Sequence, residues 1–251
     1  VDPGELVGDR LLAVTEKGNQ AMTTTNNDYD ALASCCTVPE DSAQSEVLDD
    51  IENQEVSPEV AALRSAGFRL LLETGEPVTR ERWAAESGVS PSILEEGLES
   101  ARARGRVEFD TQGRLVGLAG LTVVPNRHRV SINGEERWTW CALDAVGILG
   151  ALGTDGSVYS TDPSTGEPIE IGFTSGVPDS DATLFLLGGF EEANVVEEWC
   201  PLVNFFTSRS DAEAWVEENG LEGEIVSVAS IASRAAELWQ PVVDLDAPQV
   251  C

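Results

Sequence analysis

From Ser57 onward the chain separates into stretches of helical periodicity and shorter apolar runs broken by turn residues. Ser57-Pro58 is a helix start, with a capping hydroxyl and proline at the first helical position, and Val60, Leu63, Phe68 and Leu71 give it an apolar face up to Gly75. Thr79 opens a second helix over Arg80–Ser87, and Ser90-Pro91 a third that runs to about Arg104. Arg106–Phe109 and Arg114–Leu118 then flank a glycine-containing turn as a hairpin. Three helices and a hairpin make the pattern of a winged helix-turn-helix. Leu121–Ile132 reads as strands, with Asn133-Gly134 a strong hairpin signal. A buried helix begins at Cys141, followed by strands at Ser157–Ser160, Pro168–Phe173 and Thr183–Leu187. Leu202–Phe206 reads as a buried strand, a helix is capped near Ser210 and stopped by Gly220, and Glu224–Val228 is a strand. A last helix over Ile231–Trp239 is expected to stop at Pro241.

The expected architecture is therefore α+β: a disordered acidic extension over 1–56, a winged-helix-like module over 57–120, a mixed-sheet α+β domain over 121–241, and a tail over 242–251. The extension has little periodicity and is rich in Thr, Asn, Asp, Glu and Ser. Met22, the only methionine, is a candidate natural start.

Charge changes the picture most. Forty-five acidic residues face 15 basic ones, for a net charge of −30, and Lys17 is the single lysine. That balance argues against non-specific binding to nucleic acid or anionic membranes. It reads as a halophile's solvated surface. The eight arginines from Arg64 to Arg114 share the module with ten acidic residues from Glu59 to Asp110, which leaves the winged-helix-like module without the basic stripe that DNA binding needs. There is no apolar run of membrane-spanning length, and Val1–Gln20 does not read as a secretory signal, so a cytoplasmic location is expected.

Five cysteines, Cys35, Cys36, Cys141, Cys200 and Cys251, are odd in number and widely spread, which is not a disulfide framework. Cys141 follows two closely spaced tryptophans, and Asp144 lies three positions on, so one helix face can present both to one site. A helix N-terminus is also expected to lower the pKa of a cysteine placed there. Cys200 likewise follows a tryptophan. Free cysteines in apolar surroundings are commonly plain core. No C-x₂-C pair or histidine partner suggests zinc, and the single histidine, His128, is assigned no role. Two thiols and one carboxylate would suit a soft ion of low coordination number, such as copper(I), silver or mercury(II). The carboxyl group could also move a proton.

These motifs carry a family resemblance. Trp140-Cys141-Ala142-Leu143-Asp144 resembles a segment of the organomercurial (alkylmercury) lyases, and Trp199-Cys200-Pro201 with Phe205-Phe206 is similar to that family's second cysteine segment. Thr165-Gly166-Glu167-Pro168, Asp211–Trp215 and Gly220–Val228 follow in the family's order, and the resemblance spans about 57–239. It implies that Cys141 and Cys200 capture the mercury of an R–Hg⁺ compound while Asp144 relays a proton to carbon. The products would be a hydrocarbon and Hg²⁺. No dissociable cofactor is implied; the partners are the organomercurial, small thiols and a mercuric reductase as Hg²⁺ acceptor. Asp162 and Pro201 stand where some relatives carry further cysteines, and neither replaces a core residue. Cys35 and Cys36 are candidate relay thiols, and Cys251 could exchange metal in the same way. The competing reading is a winged-helix sensor or thiol metal-binding protein for Hg²⁺ or Cu⁺ without lyase activity. Asp144 separates the two, because a sensor needs only thiols.

The −30 charge yields a first prediction. Molar salt screens charge repulsion to about 3 Å, so the melting temperature should fall steadily as salt is lowered from molar to millimolar. A salt-independent melting temperature would refute the halophilic reading.

Overall fold

The computed structural model describes residues 45–52, 56–190 and 193–244. Met22, Cys35, Cys36 and Cys251 lie outside them, as does most of the extension expected to be disordered. Within 45–52 that expectation fails. Helix α1 (Glu46–Glu52) buries Val47 and Leu48. One helix of seven residues is too short to persist alone. Tertiary contacts hold it: Glu224 accepts a hydrogen bond from Val47 N at 3.2 Å, and Arg234 binds Asp49 and Glu52.

The next helices start where their caps are. Ser57 accepts from Val60 N ahead of α2 (Pro58–Thr74), and Thr79 accepts from Arg82 N ahead of α3 (Arg80–Ser87). Helix α4 (Pro91–Ala103) leads to the hairpin of β1 (Val107–Phe109) and β2 (Leu115–Leu118). Asp110 closes its turn by accepting from the backbone N–H groups of Gln112 and Arg114, each at 2.9 Å.

The hairpin is also the edge of a larger sheet. Strand β2 pairs with β3 (Leu121–Thr122) across a two-residue turn, Ala119-Gly120, in which both residues have positive φ (51° and 87°). The eight-stranded antiparallel order is β1-β2-β3-β5-β4-β6-β7-β8, with β4 (His128–Ile132), β5 (Glu135–Thr139), β6 (Gly156–Thr161), β7 (Pro168–Thr174) and β8 (Val177–Pro178). The ladder is continuous across position 120, so the helical module and the region after it share one sheet. Asn133-Gly134 makes the β4–β5 turn as its sequence predicts, with φ of 52° and 84°. Arg137 of β5 is buried, and its Nε donates to the carbonyls of Leu71 and Leu72 in the last turn of α2, where Leu71 O also accepts from Gly75 N.

Helix α5 (Ala142–Leu152) follows β5 directly and is buried through its first eight residues. Each fully buried Leu, Ile or Val there contributes about 1.5–3 kcal/mol. It packs on β4 and β5, on β9 (Thr183–Leu187) of a second sheet ordered β10-β9-β11, and lengthwise against α7 (Val228–Val243). That second sheet is completed by β10 (Phe205–Phe206) and β11 (Gly223–Ser227), with α6 (Arg209–Asn219) between them in sequence.

Three expectations need correction. The buried strand over 202–206 is a strand only at Phe205-Phe206, because a helical turn ends at Leu202 and Val203-Asn204 are irregular. Helix α6 starts at Arg209, with Ser208 as its cap. Helix α7 begins at Val228, three residues early, and runs through Pro241 to Val243. Proline removes one hydrogen bond near the helix end, where buried Trp239 and Val242 keep the last turn packed.

The α5–α7 seam depends on small residues. A Cβ at Gly147 would lie 2.2 Å from Cε3 of Trp239, and one at Gly150 would lie 2.8 Å from Cβ of Ala236. Gly147→Ala should therefore lower stability by about 1–3 kcal/mol, the usual range for overpacking. Urea unfolding at fixed salt measures this, and an unchanged midpoint would show that the seam is slack.

Candidate active site

Strand β5 delivers Trp140 and Cys141 to the N-terminus of α5. Cys141 is the N-cap itself, in extended conformation (φ −143°, ψ 176°), one position further out than a first-turn placement. Its Sγ accepts from Asp144 N at 3.5 Å, and Asp144 Oδ2 accepts from Cys141 N at 2.9 Å. This is a capping box built from a thiol and an aspartate in place of the usual hydroxyl and glutamate. Two backbone donors are satisfied, and the same bonds fix sulfur and carboxylate side by side.

Cys200 arrives 56 positions beyond Asp144 through a local helical distortion. Asn194 caps a π-helical turn over Val195–Trp199, and a 3₁₀ turn over Cys200–Leu202 continues it. Such π turns are frequent at functional sites. Val203 O then accepts from Ala142 N at 3.1 Å, which ties this turn to the start of α5. Cys200 Sγ lies 3.9 Å from Asp144 Oδ2. One ligand atom from each of Cys141, Asp144 and Cys200 lies within 4.8 Å of the others, and all three residues are buried. The three residues singled out in the sequence are thus brought together.

Burial dominates the electrostatics. It pushes the Asp144 carboxyl up to about 6, against opposing hydrogen bonds from Cys141 and Cys200 and the charge of Arg106. It also pushes the Cys141 thiol well above its ordinary value, helped by Cys200 and the Asp144 charge, and it raises Cys200. The expected lowering of a cysteine pKa at the helix N-terminus is overturned. A helix end is worth up to about 2 kcal/mol, while a fully buried thiolate next to a carboxylate loses solvation and gains repulsion. Burial therefore favours the neutral thiol at both cysteines.

Several residues that sequence reasoning missed surround the cluster. A Cβ on Gly120 would lie 2.2 Å from Asp144 Oδ1, so the carboxylate fits only because the β2–β3 turn carries glycine there. Trp239 Nε1 supports that turn by donating to Ala119 O at 2.9 Å. Arg106 lies over the Phe190 ring at 4.2 Å and exerts its charge on Cys200 and Asp144. Its Nη2 is buried with no hydrogen-bond partner among the described residues. Glu108 accepts a hydrogen bond from Trp140 Nε1, and burial raises its pKa. Only the Ala119-Gly120 pair between two apolar runs offered a signal. Arg106 and Glu108 lie in the helical module and Trp239 in the last helix, all outside the motifs.

A cleft of about 340 Å³ opens onto Cys200, with Glu108, Trp140, Arg127, Asn204 and Pro201 among its walls; Cys141 and Asp144 do not line it. His128, also on the wall, is buried and held down to about 3 by that burial, with Ser160 Oγ 2.9 Å from its Nδ1. It is neutral and structural. Asp162 accepts from Thr207 N at 2.8 Å and from Ser164 N, and ties the β6–β7 turn to the end of β10. Cys35 and Cys36 lie outside the described residues.

A sequence model of the alkylmercury lyase (MerB) family matches residues 121–240. The alkylmercury lyase of Bacillus cereus is 33% identical over 168 residues, covering 64% of this chain and 75% of that protein. That of Streptomyces lividans is 28% identical over 185 residues, covering 72% and 84%. The crystal structure of the mercury-bound form of MerB2 shares the fold, with a TM-score of 0.70 at 22% identity over 79% of this chain and 98% of that one. The relatives' names agree with the buried thiol–carboxylate–thiol cluster and with the mixed α+β fold that builds it. The chain belongs to the alkylmercury lyase family.

Proposed function

We propose that the chain cleaves carbon–mercury bonds by protonolysis, with Cys141, Cys200 and Asp144 as its catalytic residues. The observation that carries this reading is the buried cluster itself, two thiols and a carboxyl within 4.8 Å at the end of a cleft. Cys200 faces the cleft and meets the substrate first. Its sulfur bonds to mercury in R–Hg–X, and its proton leaves on the displaced X⁻ as HX. Cys141 then gives its proton to Asp144 and bonds to the same mercury. Two soft sulfurs raise electron density on mercury and weaken the Hg–C bond. Asp144 passes its proton to carbon, R–H departs, and Hg²⁺ remains on the two thiolates.

The environment suits each step. A carboxyl held at about 6 can accept and return a proton near neutral pH. Thiols kept protonated by burial supply the proton that carbon needs, because soft mercury displaces it from sulfur. No dissociable cofactor takes part. Small thiols would carry Hg²⁺ away to a mercuric reductase, in a halophilic cytoplasm; among the described residues no helix is long and apolar enough to cross a membrane. We read α2–α4 with the β1–β2 hairpin as a winged-helix-like module in a structural role. Several of its arginines are engaged by acids, as in Arg69–Glu86 and Arg80–Glu95, which leaves little for a phosphate backbone. A sensor without lyase activity would have no use for a carboxyl buried against both thiols.

Incubation with phenylmercury and excess thiol at high salt should release benzene. Asp144→Ala should keep Hg²⁺ binding and lose turnover by at least about 100-fold, the lower end of acid–base contributions. Benzene release at the wild-type rate in that variant would remove Asp144 from the mechanism.

A further inference from the structure

The cleft over Cys200 carries a charge that bond cleavage does not use. Among the residues that line it, Arg127 supplies the one full positive charge, since His128 is neutral. Arg127 has no carboxylate within ion-pair distance among the described residues, although most of this acidic chain's surface could provide one. Its guanidinium is nevertheless held in place. Nη1 donates to Asn204 Oδ1 at 2.9 Å, and its backbone N–H donates to Asn126 Oδ1 at 2.7 Å. Asn204 is buried and bonds back to Pro201 O at 2.9 Å, so the guanidinium is fastened to the loop that carries Cys200. One of its five N–H groups is used in this way, and the planar fork is left for a ligand. Glu108 stands in the same cleft, but its carboxyl is bonded to Trp140.

We propose that Arg127 is a carboxylate-binding subsite, taking the carboxylate of a ligand whose sulfur or mercury reaches Cys200. The inference rests on the lyase reading of that cysteine. A chain of net charge −30 repels small anions, and a fixed guanidinium beside the reactive sulfur offsets this locally. Two ligands share the chemistry. One is a carboxylated thiol that removes Hg²⁺: each exchange forms one Hg–S bond and breaks one, and the incoming thiol's proton passes to the departing cysteine sulfur. The other is an organomercurial with a carboxylate on its organic group.

The test compares wild type with Arg127→Gln and Arg127→Lys. Protein loaded directly with Hg²⁺ is mixed with 3-mercaptopropionate or with neutral 2-mercaptoethanol, and mercury release is timed. Separately, KM is measured for 4-mercuribenzoate and for phenylmercury with 2-mercaptoethanol present. A charge-assisted bond at an exposed site is expected to be worth about five- to tenfold. Arg127→Gln should therefore slow release by the carboxylated thiol, or raise KM for the carboxylated substrate, by that factor relative to the neutral counterpart. Arg127→Lys should restore much of the difference. Selectivity in the first arm identifies the thiol as the ligand, and in the second the substrate. Equal effects on charged and neutral ligands in both arms would overturn the proposal. Because release from Hg²⁺-loaded protein needs no Hg–C cleavage, failure to form benzene would count against the lyase reading alone.

Discussion

The hydrogen-bond exchange between Cys141 and Asp144 is the interaction on which the rest of the site depends. A helix that begins in the core must satisfy its first N–H groups without water. Here the thiol accepts one and the carboxylate another. The local need to cap α5 therefore places sulfur and carboxylate on the same side of the chain, before any ligand is present. The core then secures the box: α5 is covered by both sheets and by α7, Gly120 leaves room for the carboxylate, and Trp239 of α7 holds the turn that carries that glycine.

Burial then shifts the proton affinities of this cap. In water a thiol beside a carboxylate would hold its proton only modestly more tightly. Enclosed, both cysteines are pushed up and the carboxyl rises to about 6. Charge is costly there, so protons stay on sulfur until a soft cation replaces them. Arg106 moderates the effect, since its charge favours the ionised forms of Asp144 and Cys200. The cleft reaches Cys200, while Cys141 and Asp144 do not line it.

Legibility in the sequence followed the range of the interaction. Ser57, Thr79 and Asn133-Gly134 act on their nearest neighbours, and the elements they announce are where they should be. Cys141 and Asp144 were readable as a pair because their spacing is local. The α1 helix was not, because Glu224 and Arg234 stabilise it from far along the chain. Neither was the turn at Cys200, where a helical distortion ends at Leu202 and shortens the strand that the apolar run suggested to Phe205-Phe206. Pro241 misled for a related reason, since packing of Trp239 and Val242 outweighs one missing hydrogen bond. Glu108 and Arg106 reach the site only because β1 joins the same sheet as β5, and a ladder of that kind leaves no mark in a motif.

The central claim is that Cys141 and Cys200 act as one mercury clamp. Mercury-edge X-ray absorption tests it directly on protein in which Cys35, Cys36 and Cys251 are all replaced by serine and Hg²⁺ is added in equimolar amount. With Cys141 and Cys200 the only remaining thiols, a coordination shell of two sulfurs is expected. A shell with a single sulfur, or with none, would contradict the clamp.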